Sequence, residues 1–151
     1  PGNFAEPVYF YEKGGKENSG LLRIGNFKIM AKHLDLGRQG ELLAKTHLEN
    51  EGYEILDENW TYGKAEIDLI AYKDRMIIFT EVKTRTGNYF GEPEDCVYAR
   101  KQQLLAEAAE EYIYLMDHQA EVRFDIVAIL FRSETSYQLN HIPDAFWPEM
   151  E

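Results

Sequence analysis

Residues 66–83 read EIDLIAYKDRMIIFTEVK, and this stretch predicts a β-hairpin that carries acidic side chains within its apolar runs. The β-rich runs 66–72 and 75–83 are separated by two polar residues, a spacing typical of a tight turn between antiparallel strands. Asp68 lies among isoleucine and leucine, and Glu81 follows the apolar centre of the second run. Because a carboxylate in such surroundings is poorly explained as part of a solvated face, the hairpin is a candidate site for chemistry.

Side chains alternate across a strand, so Glu81 and Lys83 point the same way, as do Glu66 and Asp68 on the preceding strand. If the strands pair through a turn at residues 73–74, Asp68 lies level with the C-terminal half of the second strand and can approach Glu81. Two close carboxylates repel each other and lose hydration when partly buried. A divalent cation between them would offset both penalties, and Lys83 would then stand beside it.

Mg²⁺ prefers carboxylate oxygens and water, polarises a phosphoryl oxygen and lowers the pKa of a bound water. Lys83 is placed to orient or deprotonate that water, or to neutralise charge in the transition state. The chemistry that this grouping predicts is phosphodiester hydrolysis. The alternative is a surface ion pair, because an isolated Glu-x-Lys on a strand usually has little energetic weight. Asp68 favours the catalytic interpretation over that alternative.

The chain has 151 residues, of which 44% are apolar, enough for one core and too few for two ordinary domains. We expect a single domain over residues 30–151 and an N-terminal extension over residues 1–29, with only a short strand at 8–11. Met30-Ala31-Lys32 is typical of a native start, so the preceding stretch is interpreted as added sequence or a mis-assigned start.

The net charge of −11, from 16 basic and 27 acidic residues, argues against a general nucleic-acid-binding protein, whose contact surface should be basic. Basic residues nevertheless surround the opening motif, and a local field matters more than net charge for a narrow site. Cys96 is the only cysteine, which excludes an internal disulfide. The sequence has no long apolar run and no secretory signal pattern, so we expect a cytoplasmic protein without a membrane partner.

Hydrophobic periodicity predicts an α/β fold with a mixed central β-sheet flanked by helices, in the order α-β-β-β-α-β-β. The first helix should begin with Asp35 as its N-cap and be closed by Gly52. The remaining predicted segments are a short edge strand at 53–58, a loop at 59–64, the hairpin, a loop from 84 to about 93, a helix at 98–116, a central strand at 122–131 and a last strand at 137–142.

Asp68 followed by Glu81-Val82-Lys83 resembles the D…(D/E)-x-K signature of the PD-(D/E)XK nuclease superfamily, also called restriction-endonuclease-like. More closely, ordered blocks spanning residues 36–146 resemble the YraN family of uncharacterised UPF0102 proteins, which is similar to archaeal Holliday-junction resolvases. The blocks are GRQGELLAKTHLENEGYEIL, ENWTYGKAEIDLIA, FTEVKTRTG, GEPEDCVYARKQQ, RFDIVAIL and HIPDAF. The domain at 30–151 is therefore expected to be nuclease-like, with a restriction-endonuclease-like fold.

The resemblance implies an endonuclease that depends on Mg²⁺ or Mn²⁺, with Asp68 and Glu81 as metal ligands and Lys83 as the catalytic lysine. Glu41, in the block GRQGE, matches the acid that approaches the metal from a helix in related resolvases. The alternative for Glu41 is a carboxylate that stabilises the helix dipole. The implied partner is nucleic acid, most simply branched DNA, and symmetric cleavage of two strands implies a homodimer.

Four further residues follow from the same blocks as candidates for nucleic-acid contact. Arg85, Arg100 and Lys101 would contact phosphates, and Gln102 would reach the site from the second helix; for each the alternative is an ordinary solvated side chain. The alternative function is a module that binds nucleic acid or protein, with a nuclease-like fold and little or no catalytic activity.

Overall fold

The computed structural model describes residues 8–12, 32–87 and 99–148, which form six strands and two helices. The elements are β1 (Val8–Glu12), α1 (Lys32–Asn50), β2 (Glu54–Tyr62), β3 (Ala65–Lys73), β4 (Met76–Thr86), α2 (Ala99–Leu115), β5 (Val122–Phe131) and β6 (Ser136–Ile142). Among these described ranges, no helix is long and apolar enough to cross a membrane.

The strands form one mixed sheet in the order β1-β6-β5-β4-β3-β2. Strands β4 and β5 are parallel, and every other neighbouring pair is antiparallel. The sheet confirms the predicted α/β class, the central position of β5 and the edge position of β2. A parallel pair requires a crossover connection, and α2 supplies it between β4 and β5.

The two helices cover opposite faces of the sheet. Phe124 and Ile126 of β5 pack in a core with α2, whereas Val127 and Ile129 pack in a second core with α1. Even and odd positions of a strand face opposite sides, so a strand buried on both faces reads as a continuous apolar run. This is why the run at 122–131 was recognisable as a central strand from sequence alone.

The predicted hairpin of β3 and β4 is present, but its turn lies one residue later than predicted. Lys73 pairs with Met76, and the two loop residues, Asp74 and Arg75, have φ angles of 51° and 66°. Two successive positive φ angles are characteristic of the type I′ turn, whose twist matches that of the flanking strands. The predicted turn at 73–74 was wrong because no glycine marks the left-handed positions here.

Two predicted loops are shorter in the structure than the sequence indicated. The loop expected at 59–64 is mostly strand, because β2 continues to Tyr62 and turns through Gly63, whose φ is 58°. Trp60 of this extension packs against the core under α2, and that burial outweighs the polar composition around it. The loop expected from residue 84 begins after Thr86, where β4 ends; residues 88–98 lie outside the described residues.

Helix α1 begins at Lys32, so Asp35 lies inside the helix and the predicted N-cap was wrong. The predicted end is confirmed: Gly52, with φ 88°, follows the last turn. Its N–H donates to the carbonyl of Glu49 at 3.0 Å, and the N–H of Tyr53 donates to that of Leu48 at 2.9 Å. These two bonds form a Schellman motif, which satisfies carbonyls that the helix itself leaves free.

Within the predicted N-terminal extension, the strand expected at 8–11 is present as β1, antiparallel to β6. Residues 1–7 and 13–31 lie outside the described residues, including Met30 and Ala31 of the predicted start. The domain boundary at residue 30 therefore stays a prediction.

A buried carboxylate ties the C-terminal segment to the sheet. Asp125 of β5 is 0% exposed and accepts hydrogen bonds from Arg123 Nε at 2.7 Å, Asp144 N at 3.0 Å and His141 Nε2, which is 2.8 Å away. Burial alone would raise the pKa of Asp125, but the bonds from His141, Arg123 and Asp144 outweigh it and lower the pKa. This carboxylate therefore stays ionised and structural.

Helix α1 approaches β4 closely through Gly40, the last glycine of GRQGE. A Cβ at this position would overlap Thr84 Oγ1 and lie 3.3 Å from Thr84 Cβ. Gly37, one turn earlier, has nothing within 4 Å of such a Cβ. Gly40 thus sets the distance between α1 and the C-terminal half of β4, which also places the following residue, Glu41.

We expect Gly40→Ala to lower the free energy of unfolding by about 1–3 kcal/mol, because the added methyl group overpacks the contact with Thr84. Gly37→Ala is the matched control and should raise it by about 0.5–1 kcal/mol through helix propensity. Urea denaturation of both variants measures the difference. Equal stability of the two alanine variants would show that the contact with Thr84 does not constrain the helix.

Candidate functional site

The register of the hairpin brings Asp68 and Glu81 opposite each other. Paired residues run from Lys73–Met76 to Leu69–Thr80, so the next residues on the two strands are Asp68 and Glu81. Beyond that last pair, the N–H of Val82 donates to Asp68 Oδ2 at 2.7 Å. A side-chain carboxylate thus accepts an N–H of β4, and the meeting of the two acids predicted from the sequence is found.

The strict alternation of side chains breaks at Asp68. Ile67 and Ile70 pack in the core under α2, whereas Leu69 packs in the core under α1. On β2 the pairs Glu58–Leu69 and Trp60–Ile67 leave Asn59, with φ 49°, outside the ladder opposite Asp68. Alternation alone could not have predicted this irregularity, which lies beside the acid.

Glu81 is 5% exposed, and its two carboxylate oxygens differ: Oε1 contacts two lysines, whereas Oε2 has no hydrogen-bond partner among the described residues. Lys83 Nζ lies 2.9 Å from Glu81 Oε1, and Lys101 Nζ of α2 donates a hydrogen bond to the same oxygen. Within the described residues, Glu81 Oε2 is buried and accepts no hydrogen bond. An unsatisfied buried oxygen is costly, so it marks a place where a ligand would be stabilised.

Glu41 reaches the same region from α1. With the amide of Asn59 oriented so that its nitrogen faces the acids, it donates to Glu41 Oε2 at 3.2 Å and to Glu66 Oε1 at 3.0 Å. Burial raises the pKa of Glu41; the bond from Asn59 acts to lower it, and the charges of Glu66 and Glu81 raise it further. Glu41 is therefore electrostatically part of the acidic site.

Five of the predicted site residues line one pocket of about 440 Å³ between α1 and the end of β4. They are Glu41, Asp68, Glu81, Lys83 and Arg85. The structure thus brings together side chains from α1, β3 and β4.

The three other predicted residues lie on α2 and do not line this pocket. Lys101 contacts Glu81 from the α2 side and is half-buried, whereas Arg100 is exposed at the start of the helix. Gln102 is half-buried.

Burial raises the pKa of Asp68 to about 7, with a further increase from the charge of Glu81. The N–H of Val82 opposes this shift, Glu41 adds to it, and Lys101 again opposes it. For Lys101, burial acts to lower the pKa, but the hydrogen bond and charge of Glu81 outweigh it, so the pKa lies above its ordinary value. The site therefore holds an acid that titrates near neutrality beside a cation that stays charged.

The donor set fits a hard divalent cation with few protein ligands. In residues 8–12, 32–87 and 99–148, no three His, Cys, Asp or Glu side chains form a group that could hold a metal. Asp68 and Glu81 nevertheless offer two carboxylates, one with a buried unsatisfied oxygen. Mg²⁺ is usually bound by one or two carboxylates with waters and substrate phosphates. The role of Glu41 as a third ligand stays a prediction.

Sequence reasoning missed the ion pair between Lys101 and Glu81 and the bridging amide of Asn59. A signal for the first was present: the first turn of α2 carries Arg100 and Lys101 and no acid, against the preference of a helix N-terminus for negative charge. Basic residues in that position indicate that a contact with another part of the fold stabilises them. No comparable signal marked Asn59, because its position depends on the irregularity in β2.

We expect Asp68→Asn to stabilise the metal-free protein at pH 8 and to have less effect at pH 5. The carboxyl has a pKa of 3.8 when unfolded and about 7 when folded, so the folded state binds more protons between these values. The free energy of unfolding that this carboxyl contributes is therefore lost as the pH rises toward 7. Asparagine cannot ionise, so the variant does not lose stability in this way. Urea denaturation with a chelator at both pH values measures it.

Asp117→Asn is the control for this change, because Asp117 is exposed beyond the end of α2. Its effect should be small and the same at both pH values. A loss of stability in Asp68→Asn that is larger at pH 8 than at pH 5 would contradict the expected repulsion.

The family model and the curated relatives agree on one family. The profile of "Uncharacterised protein family UPF0102" matches residues 40–129. The UPF0102 protein FP2501 of Flavobacterium psychrophilum is 45% identical over 118 residues, covering 78% of this chain and 98% of the relative. A UPF0102 protein of Chlorobium chlorochromatii is 41% identical over 120 residues, covering 76% and 93%.

Among solved structures, Pyrococcus furiosus SfsA in complex with Ca²⁺ is 12% identical with a TM-score of 0.33, covering 72% of this chain and 63% of SfsA. This similarity is too low to carry an argument. The matched profile includes Glu41, Asp68, Glu81 and Lys83, and the relatives are covered over nearly their whole length. The chain belongs to the uncharacterised protein family UPF0102.

Proposed function

We propose that this protein is a divalent-metal-dependent endonuclease of the PD-(D/E)XK type that hydrolyses phosphodiester bonds in branched DNA. One observation carries the proposal: Asp68, Glu81 and Lys83 meet in one pocket, and Glu81 keeps a buried oxygen without a partner. A grouping that leaves two acids close together and one oxygen unsatisfied lowers stability, and such arrangements concentrate at functional sites.

In this proposal, Asp68 and Glu81 hold Mg²⁺ or Mn²⁺. The bound ion would polarise a phosphoryl oxygen and lower the pKa of a water. The N–H of Val82 fixes the Asp68 carboxylate at 2.7 Å, so one ligand is held in place before binding. Lys83, anchored 2.9 Å from Glu81 Oε1, is positioned to orient the attacking water or to neutralise charge that develops on the phosphate.

The charge distribution supports a narrow contact with nucleic acid rather than a broad one. The net charge of −11 opposes a broad contact with DNA. Arg85, exposed at the pocket, and Arg100, exposed at the start of α2, supply positive charge near the acids. Contacts through so few cations predict a shallow dependence of affinity on salt. Symmetric cleavage of a junction would need two copies, so the proposal includes a homodimer, which sedimentation would detect.

We expect the purified protein to cleave a four-way junction, a flap or single-stranded DNA in Mg²⁺ or Mn²⁺ and to be inactive with a chelator. Asp68→Ala should abolish cleavage, because a ligand is lost, and Lys83→Met should slow it at least about a hundredfold. Gel-based rates at saturating protein measure both. Lys45→Met is the control, since Lys45 pairs with Glu58 at 3.1 Å, outside the pocket lining.

The competing function is a binding module that retains the pocket without catalysis. It is favoured if the wild-type protein binds branched DNA with the same affinity in metal and in chelator and cleaves nothing. Cleavage that persists unchanged in Asp68→Ala would reject the proposed active site.

A further inference from the structure

Lys101 is the one half-buried cation that α2 contributes to the acidic site within the described residues. Its ammonium donates to Glu81 Oε1, the same oxygen that Lys83 contacts, and its side chain is 28% exposed. Asp68 also acts on it through its charge. Two lysines from different elements thus share a single carboxylate oxygen.

The position of Lys101 is unfavourable for its own helix. It lies in the first turn of α2, where the helix dipole repels cations, and no acid in that turn compensates. The contact with Glu81 therefore explains why a lysine occupies this position. Lys83 already neutralises one negative charge of the site, and the ammonium of Lys101 neutralises one more.

We propose that Lys101 is a positioning residue that holds the Glu81 carboxylate through Oε1 in the metal-free protein and gives up this contact when a divalent cation binds the same carboxylate. The inference rests on the proposed function, because it concerns the metal of that same site. The cation and the ammonium compete for one carboxylate, since both are attracted by the charge that Glu81 and Asp68 share.

Competition of this kind predicts that removing Lys101 increases the affinity of the site for a divalent cation. A lysine that merely supported the fold would weaken metal binding when removed, because the site would loosen. A lysine that competes strengthens it, since the cation no longer displaces a charged hydrogen bond. Bonds to charged groups contribute enough that Lys101→Met should bind Mn²⁺ about tenfold more tightly.

The test is a titration of Mn²⁺, followed by the paramagnetic resonance of the free ion, on the wild-type protein and Lys101→Met without DNA. Lys45→Met is a closely matched control: Lys45 is 30% exposed and also pairs with a glutamate, but outside the pocket lining. We expect tighter binding for Lys101→Met, no change for Lys45→Met, and loss of binding for Glu81→Gln. Lys101→Gln, which keeps a hydrogen-bond donor without the charge, provides a second variant in case the methionine variant does not fold.

Thermal unfolding gives an independent readout. Lys101→Met should melt lower than the wild type in chelator and show a larger rise in melting temperature on addition of Mn²⁺. Equal or weaker Mn²⁺ binding by both Lys101 variants, with normal binding by the wild type, overturns the competition and leaves the nuclease proposal intact. Tighter binding without any DNA cleavage supports the competition and rejects the nuclease. No Mn²⁺ binding by the wild type rejects both.

Discussion

The hydrogen bond from Val82 N–H to the carboxylate of Asp68 is the contact on which the rest of the site depends. It lies just beyond the last backbone pair of β3 and β4, so the ladder ends in a side chain rather than a carbonyl. An acid used in this way is held at the end of the β3–β4 ladder, where burial raises the pKa of Asp68 to about 7.

Each face of the sheet contributes one helix to the site at the end of this ladder. Helix α1 can approach because Gly40 has no side chain to meet Thr84, and it carries Glu41 to the pocket. Helix α2, on the other face, directs Lys101 to Glu81. The acids thus lie between two layers that are packed independently, and their mutual repulsion is opposed by cations from β4 and α2.

The parts of the fold that were predictable are those in which burial follows chain periodicity. The run at 122–131 is continuously apolar because both faces of this strand are covered, which identifies it as a central strand. Gly52 marks the end of α1 because the residue at this position adopts a positive φ, which glycine does without steric cost. The turn at Asp74 and Arg75 was misplaced by one residue, because no glycine is present and Arg75, unlike Asp74, is not a usual residue for positive φ. The strand character of Asn59–Tyr62 was missed because tertiary packing of Trp60 outweighs local polarity.

The sequence by itself determined the α/β class and the hairpin, and it pointed to the acids that the structure brings into one pocket, because residue type and spacing along one strand pair carry that information. Only the tertiary structure decided that Lys101 pairs with Glu81, that Asn59 bridges Glu41 and Glu66, and that one oxygen of Glu81 lacks a partner among the described residues. These contacts join elements that are distant in the chain. Their geometry follows from how helices pack on a twisted, irregular sheet, which no local pattern specifies.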